Sequence, residues 1–350
     1  MRFVATIVVL SFATPAFAEE KTKVRIDDYT KERIDLGLKW LASKQNADGS
    51  WGDSRYPNNT AITGFALMAF LSNGQVPTQC QYRNKDGKDV VQRGVNFLMA
   101  SQREDGYLVN RTGNMYCHGM ATLALSQVWG MTGDDDVKKS LKKAIDLIIK
   151  CQSKDGSVNH GGWRYEPVPS GADISVTIMQ VMALRGAKDS GVHIPDETMK
   201  RALSYINSCY DEATGGYTYQ PRNRAPGFAR TAAGICVLKL TGEYDKKIDR
   251  SIEFLKASMI RPREHFWYGH YYACHAMHQV GGKDWEDYYT HIRNNFLPNR
   301  PNENRSPAQA QSDDGSWSRQ DFQSAGPVYQ TSIAIIALSV PANYLPIFQR

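Results

Sequence analysis

The sequence predicts an all-α fold, an (α/α)6 toroid in which six helix pairs form inner and outer concentric layers. Three observations predict it. A motif recurs at intervals of about fifty residues, which is the signature of a repeat architecture. Each unit contains one amphipathic helix followed by one helix that is apolar nearly all round. No segment shows the strict alternation of apolar and polar residues that is typical of a half-buried strand.

The repeated motif ends in a glutamine, a turn that contains glycine, and an aromatic residue. Asp-Gly pairs such as Asp48-Gly49 supply the turn, because glycine adopts positive φ without a steric penalty. The fourth and fifth units keep the frame but carry Tyr210 and Met259 in place of the glutamine. The positions that match best are Trp40, Gln45, Gly49, Trp51, Gln102, Gly106, Gln152, Gly156, Gln311, Gly315 and Trp317.

The first helix of each unit has one apolar face. In the fifth unit Ile248, Ile252 and Leu255 fall at i, i+4 and i+7, with charged residues between them. The second helix is different, since residues 62–71 and 333–340 are apolar on every side. A helix of that kind is buried all round. Half-exposed helices that alternate with fully buried ones predict an outer layer around an inner one.

The N-terminal segment predicts export. Residues 1–18 have a basic start, a short apolar run and the small-residue pattern Ala16-Phe17-Ala18, as in a cleaved signal peptide. The run is too short to span a bilayer, and no later run reaches about 18 apolar residues, so a transmembrane protein is not expected. We therefore predict a secreted or periplasmic protein, with residues 19–350 forming a single toroid domain that carries a mobile insertion at 299–311.

Charge and cysteine content limit the partners. The chain has 42 basic and 36 acidic residues, a net charge of +6, and no Lys/Arg block, so nucleic acid is not a predicted partner. Six cysteines in an oxidising compartment permit up to three disulfides. Their predicted positions on packed helices, about 8–10 Å apart, favour at most one.

The repeat resembles that of squalene–hopene cyclases and of protein prenyltransferase β-subunits, the prenyltransferase/squalene oxidase repeat family. The stretches at 160–165 and 268–272 also resemble exported bacterial members of this family. The resemblance implies a toroid in which the glutamines and tryptophans of the motif tie neighbouring outer helices together. It also implies a central cavity for an isoprenoid-type ligand.

The catalytic signatures of that family are incomplete in this chain. Of the D-x-D-D-T-A acid motif of the cyclases, only Asp173 remains at the start of an inner helix. The D-x-C zinc motif of the prenyltransferases is absent from the sequence. We predict no metal and no cofactor, and whether the protein is an enzyme stays open.

Candidate site residues lie at the predicted starts of the inner helices, where a toroid cavity opens. The catalytic candidates are Asp173, His118, His270 and Tyr271, because carboxyl, imidazole and phenol groups can transfer protons. The ligand-binding candidates are Trp163, Arg164, Tyr165, Arg230, Trp267, Tyr268 and Tyr272. Arginine suits carboxylate or phosphate, and aromatic faces suit apolar or cationic groups.

Three functions remain open. The first is binding of a small apolar, isoprenoid-type ligand in an aromatic cavity, with catalysis unproven. The second is chemistry on a uronate-containing glycan, in which Arg164 and Arg230 neutralise the acid while His270 or Tyr271 moves the proton. The third is a non-catalytic interaction scaffold. The sequence leaves the ligand and the oligomeric state undetermined.

Overall fold

The computed structural model describes residues 24–53, 55–154, 156–221, 225–242, 246–259, 265–307, 309–318 and 325–349. The predicted signal peptide lies outside them. The described residues form twelve α-helices: α1 (Asp28–Ser43), α2 (Thr60–Leu71), α3 (Val90–Ala100), α4 (Met115–Thr132), α5 (Asp135–Lys150), α6 (Ile174–Asp189), α7 (Asp196–Ser208), α8 (Phe228–Thr241), α9 (Lys247–Met259), α10 (Phe266–Val280), α11 (Gly282–Phe296) and α12 (Pro327–Ser339).

The even-numbered helices form a closed inner ring. Each packs on the next in chain order, and α12 packs on α2. The odd-numbered helices surround this ring, each against its neighbouring inner helices. All twelve residues of α2 are buried, whereas in α9 the buried residues are Ile248, Ser251, Ile252 and Leu255. The predicted (α/α)6 toroid is confirmed.

In the four units that have it, the glutamine of the motif joins one outer helix to the next. Gln45 Nε2 donates to Gly49 O at 3.0 Å within its own turn and to Val90 O at 2.8 Å at the start of α3. Gln311 Nε2 donates to Gly315 O at 2.8 Å and to Arg33 O of α1 at 2.9 Å. The last unit therefore binds the first through the same bond that Gln45, Gln102 and Gln152 make, and this bond helps to close the ring.

The third unit departs from the predicted register. Gln152 Nε2 donates to Gly161 O and Thr198 O, both at 2.9 Å, so Gly161 and not Gly156 holds the motif position. Gly161 has φ +91°, and a Cβ there would lie 2.2 Å from Arg201 O. Gly156 has φ +70° and faces open space. The turn contains five extra residues, and the Asp-Gly pair lies within them.

The tryptophans that follow the turn of the motif are buried packing residues whose indole groups hydrogen-bond to backbone carbonyls. The indole Nε1 of Trp51 donates to Leu41 O at 2.8 Å, and that of Trp317 to Phe296 O at 2.8 Å. Trp163 Nε1 donates to Ile148 O at 2.7 Å, and the ring is 1% exposed. Trp163, predicted to contact ligand, is placed by the structure in the same packing role. Trp40 lies at the surface, where its Nε1 donates to Asp314 Oδ2 at 3.0 Å.

The segment predicted as a mobile insertion has many contacts among its described residues. Arg300 forms an ion pair with Asp27, which caps α1. Arg305 Nη1 donates to Asn294 O at 2.7 Å and its guanidinium pairs with Glu303. These bonds attach residues 299–311 to α1 and α11.

The C-terminal residues cover the end of the ring at which the inner helices finish. Gln127 Oε1 of α4 accepts from Ile347 N at 3.0 Å, and Gln279 Nε2 of α10 donates to Phe348 O at 3.0 Å. The Phe348 ring stacks on His275 with centroids 3.5 Å apart. Three elements, α4, α10 and the C-terminal segment, therefore close this end.

The structure also bears on the membrane and disulfide predictions. No helix within the described ranges is long and apolar enough to cross a membrane. All six cysteines are buried free thiols.

Candidate functional site

A cavity of about 820 Å³ opens at the end of the ring where the inner helices begin. This volume lies within the 300–1,000 Å³ range of small-molecule sites. Every inner helix contributes residues from its first turn or just before it, among them Asn59, Asn114, Ser175, Gly227, His265 and Ala325. The toroid topology therefore gathers six chain segments, distant in sequence, around one space.

The walls of the cavity are apolar and aromatic. Ile62 and Phe65 of α2, Val176 of α6 and Phe228 of α8 supply apolar surface. Tyrosines complete it, with the Tyr116 and Tyr268 rings 5.9 Å apart. The Phe65 and Tyr329 rings meet edge to face at 5.1 Å. Such a lining binds apolar groups, and its ring faces can also stabilise a cation.

The charge of the lining is low. Arg230 is the one permanent cation among the described lining residues, and none of these carries a carboxyl group. Arg230 Nη2 donates to Ala225 O at 2.9 Å, which holds the guanidinium at the mouth. Hydrolysis of a glycosidic bond usually needs two carboxyl groups facing the substrate, and the described lining does not offer them.

Two tyrosines form a polar pair at the mouth. The Tyr165 and Tyr219 hydroxyl oxygens are 2.8 Å apart, and both residues line the cavity. The Tyr165 side chain is exposed, and its backbone carbonyl accepts from Met115 N at 2.8 Å, which fixes the loop against α4. Of the predicted ligand-binding residues, the structure brings Tyr165, Arg230 and Tyr268 to the cavity.

Asp173 lies directly behind this pair. It caps α6 through a bond from Val176 N to Oδ1 at 2.9 Å, and its side chain is fully buried. Burial raises the pKa of the carboxyl, while Val176 N, the Tyr219 side chain and the Arg164 charge oppose the rise. Asp173 does not line the cavity, so it can act on a ligand only through Tyr219. Arg164 also lies outside the lining.

His118 has a structural position. Its Nδ1 accepts from Leu108 N at 3.0 Å, and Nε2 faces Ala144 O at 3.2 Å. The fourth residue of α2 is Thr63, whose hydroxyl accepts the N–H of Trp51 at 2.9 Å in the same way. Burial lowers the pKa of His118 to about 4, so the ring is neutral. The structure therefore places His118 away from the cavity, in the role that threonine has elsewhere.

His270 and Tyr271 lie behind the cavity wall. His270 Nδ1 is 2.8 Å from the Tyr288 hydroxyl, and burial lowers its pKa to about 3. Tyr271 is fully buried, with its ring edge on to Phe65 at 5.2 Å. Neither lines the cavity. Both catalytic candidates are therefore packing residues in this arrangement.

The aromatic segment at the start of α10 divides by helical face. Tyr268 lines the cavity, and Tyr272 lies one turn deeper with its ring 4.9 Å from that of Tyr268. Trp267 faces the outer layer and packs on Phe296 at 5.1 Å. Of these three rings, that of Tyr268 alone is among the described lining residues, because the other two lie on other faces of the helix or deeper along it.

Several lining residues are absent from the predicted site, chiefly Phe65, Tyr116 and Tyr329. Phe65 and Tyr329 lie in helices that are apolar all round, so periodicity does not reveal which face meets the axis. Position in the unit is the available signal, because Phe65, Tyr116 and Tyr329 lie within the first six residues of their inner helices. No group of three metal-ligating side chains occurs in the part of the chain that the structure describes.

Two family models match the chain. The squalene-hopene cyclase C-terminal domain matches residues 69–231. The prenyltransferase alpha-alpha toroid domain matches residues 174–292. The resemblance predicted from the repeats is confirmed.

The curated relatives are remote. A squalene–hopene cyclase of Bradyrhizobium diazoefficiens is 25% identical over 220 residues, which cover 56% of this chain and 31% of that protein. A lanosterol synthase of Aspergillus fumigatus is 27% identical over 138 residues, 37% of this chain and 17% of that one. The chain spans about a third of the length of the squalene–hopene cyclases that it matches.

Solved structures with the same fold have other activities. An inactive variant of the α-1,6-mannanase GH76A of Salegentibacter sp. HEL1_6, bound to α-1,6-mannotriose, superposes with a TM-score of 0.63 at 8% identity, covering 91% of this chain and all of that one. The cellobiose 2-epimerase of Bacillus thermoamylovorans has a TM-score of 0.59 at 11% identity, covering 90% and 99%. These likenesses show the fold alone.

Proposed function

From a chain that carries the toroid repeats of squalene–hopene cyclases and prenyltransferases, we propose that this protein binds an apolar, isoprenoid-type molecule in its central cavity. One observation carries the proposal: a cavity of about 820 Å³ walled by apolar and aromatic side chains, with no carboxyl group among its described lining residues. Burial of apolar surface contributes about 25 cal/mol per Å², so such walls favour a hydrocarbon ligand.

The proposal stops short of catalysis. Cyclisation started by protonation needs an acid in contact with the substrate, and Asp173 lies behind Tyr219. The acid motif is also reduced to a single carboxyl group, with Ser175 and Val176 where the motif has its second and third aspartates. A carrier or sensor of a preformed isoprenoid therefore fits this cavity better than a cyclase.

We expect an isoprenoid-type molecule to accompany the purified protein. Protein produced with its own N-terminal segment is extracted under native and then denaturing conditions, and the released molecules are identified by mass spectrometry. Ser175→Trp fills the cavity and should remove the bound species. Ser175→Ala keeps the space open and is the matched control, which should retain it.

The same proteins are then titrated with farnesol and with the farnesyl hydrocarbon that lacks oxygen. Binding to the wild type, with at least a tenfold loss in Ser175→Trp, supports the proposal. If neither probe binds and no apolar molecule accompanies the protein, the proposed function is wrong.

An acidic glycan is the second candidate. It is favoured by the polar groups of the lining, which include Arg230 and the Tyr165–Tyr219 pair, and by the glycan-active proteins that share the fold. Tyrosine and arginine together suit proton abstraction next to a carboxylate. Cleavage of a polyuronate by the wild type but not by Tyr219→Phe or Arg230→Ala would favour this candidate over the first.

Export belongs to the proposal as well. Cleavage after Ala18 would leave Glu19 as the first residue of the mature chain. Intact-mass measurement of protein recovered from the periplasm or the medium tests this. A chain that stays in the cytoplasm with residues 1–18 attached would contradict it.

A further inference from the structure

We propose that Asp173, Tyr219 and Tyr165 form a subsite at the cavity mouth that accepts a hydrogen bond from the ligand, so that the ligand is an alcohol of the isoprenoid type. The inference rests on the proposed function and adds the chemistry of the end group. Three side chains and their order carry it.

The first link is a fixed acceptor. One oxygen of Asp173 is held by Val176 N at 2.9 Å, and its other oxygen, Oδ2, is buried with no well-formed hydrogen bond. The Tyr219 side chain interacts with this carboxyl group, and Tyr219 also lines the cavity. An ionised carboxylate can only accept, and bonds to a charged acceptor are the stronger ones. We infer that the hydroxyl hydrogen of Tyr219 is directed at Asp173, because a buried carboxylate oxygen without a formed hydrogen bond is the strongest acceptor beside it.

The second link sets the direction in which the hydrogen bonds from Tyr165 through Tyr219 to Asp173 run. A tyrosine hydroxyl has one hydrogen to donate, and its oxygen can still accept. With its hydrogen committed to Asp173, Tyr219 can only accept across the 2.8 Å that separates it from the Tyr165 hydroxyl. Tyr165 is then the donor in that pair. Its oxygen, which is exposed at the mouth, is left with acceptor capacity alone.

The consequence is a selective subsite. A ligand hydroxyl can donate to Tyr165, whereas an ether oxygen or a carbonyl meets an oxygen with no hydrogen to offer. A carboxylate or phosphate would in addition approach the buried charge of Asp173. An alcohol on an apolar chain can pack its hydrocarbon against the apolar walls and donate its hydroxyl hydrogen to Tyr165 at the mouth.

The test compares two probes that differ in one hydrogen-bond donor, farnesol and farnesyl methyl ether. Affinities are measured by calorimetric titration at about pH 8, because burial raises the pKa of the Asp173 carboxyl and an alkaline pH favours its ionised form. We expect the wild type to bind farnesol at least tenfold more tightly than the ether. The hydrocarbon without oxygen serves as the reference for the walls alone.

Asp173→Asn is the decisive variant. Asparagine is as good a helix cap as aspartate, so the bond to Val176 N is kept. Its amide donates to Tyr219, which reverses the direction of the hydrogen bonds. Tyr219 then donates to Tyr165, and Tyr165 donates to the ligand. The tenfold preference should then fall to about one, because the ether gains a donor. Tyr219→Phe should have the same effect, since it frees the hydrogen of Tyr165.

Tyr289→Phe is the control, because the Tyr289 hydroxyl donates to Leu338 O at 2.9 Å away from the cavity. It should keep the full preference. Equal affinities of both probes for the wild type overturn the subsite and leave the proposed function standing. A preference that survives Asp173→Asn and Tyr219→Phe also overturns it, since the donor is then recognised elsewhere. If no probe binds, the proposed function fails and the subsite fails with it.

Discussion

Gly161→Ala should destabilise the protein by at least about 3 kcal/mol, whereas Gly156→Ala should cost about 1 kcal/mol. Both residues have positive φ, so alanine pays a similar conformational penalty at each. They differ in their surroundings, because the new methyl group would lie 2.2 Å from Arg201 O at position 161 and in open space at position 156. The backbone of α7 would have to move to admit it.

The measurement is urea unfolding of the two variants beside the wild type, with the shift in midpoint converted through a common slope. The pair is matched, since the same substitution is made in the same turn. Equal losses at the two positions, or a larger loss at 156, would contradict the assignment of Gly161 as the motif glycine.

The second large effect is a loss of stability in acid. The pKa of His118 is about 4 in the folded protein, and an unfolded histidine has a pKa of about 6.5. Below pH 6.5 the unfolded chain binds a proton that the folded chain cannot. Stability is therefore complete above pH 6.5 and falls as the pH drops toward 4. For this residue alone the loss reaches about 3 kcal/mol at pH 4.

His118→Thr isolates that contribution. Threonine already fills the equivalent position in four other units, as Thr63, Thr177, Thr231 and Thr331. The variant should be less stable at pH 8, because the contact with Ala144 O is lost. Its unfolding free energy should fall with pH by about 1.4 kcal/mol per unit less than that of the wild type between pH 6.5 and 4. Parallel profiles would show that His118 is not buried in its neutral form.

The fold could be predicted from the sequence because the same motif recurs in each unit. Gln45, Gln102, Gln152 and Gln311 each make the same two bonds, so a single local rule repeats around the ring. The register failed only in the third unit, where an Asp-Gly pair within five extra residues resembled the turn itself. An Asp-Gly pair in the sequence indicates a turn. Which glycine is required depends on the backbone of the next outer helix, here Arg201 O beside Gly161.

The site could be predicted only in part, because a cavity depends on where six helices point. The structure places Tyr165, Arg230 and Tyr268 on the cavity, whereas their predicted role in ligand binding stays a prediction. His118 lies on α4, and His270 lies on α10 with Tyr268, but both histidines point between the layers. Their residue type suggested chemistry, whereas their hydrogen bonds to Leu108 and Tyr288 are those of buried packing groups.

The covered end of the ring limits what can use the cavity. With Ile347 and Phe348 bound across α4 and α10, the described residues cover the end of the ring opposite the cavity mouth, so the space is a cup in this part of the chain. A long polymer cannot thread through it, so only a chain terminus or a whole small molecule fits inside. Entry and departure share one path, and a second molecule must wait until the first has left. Release at the mouth therefore sets the pace of any exchange.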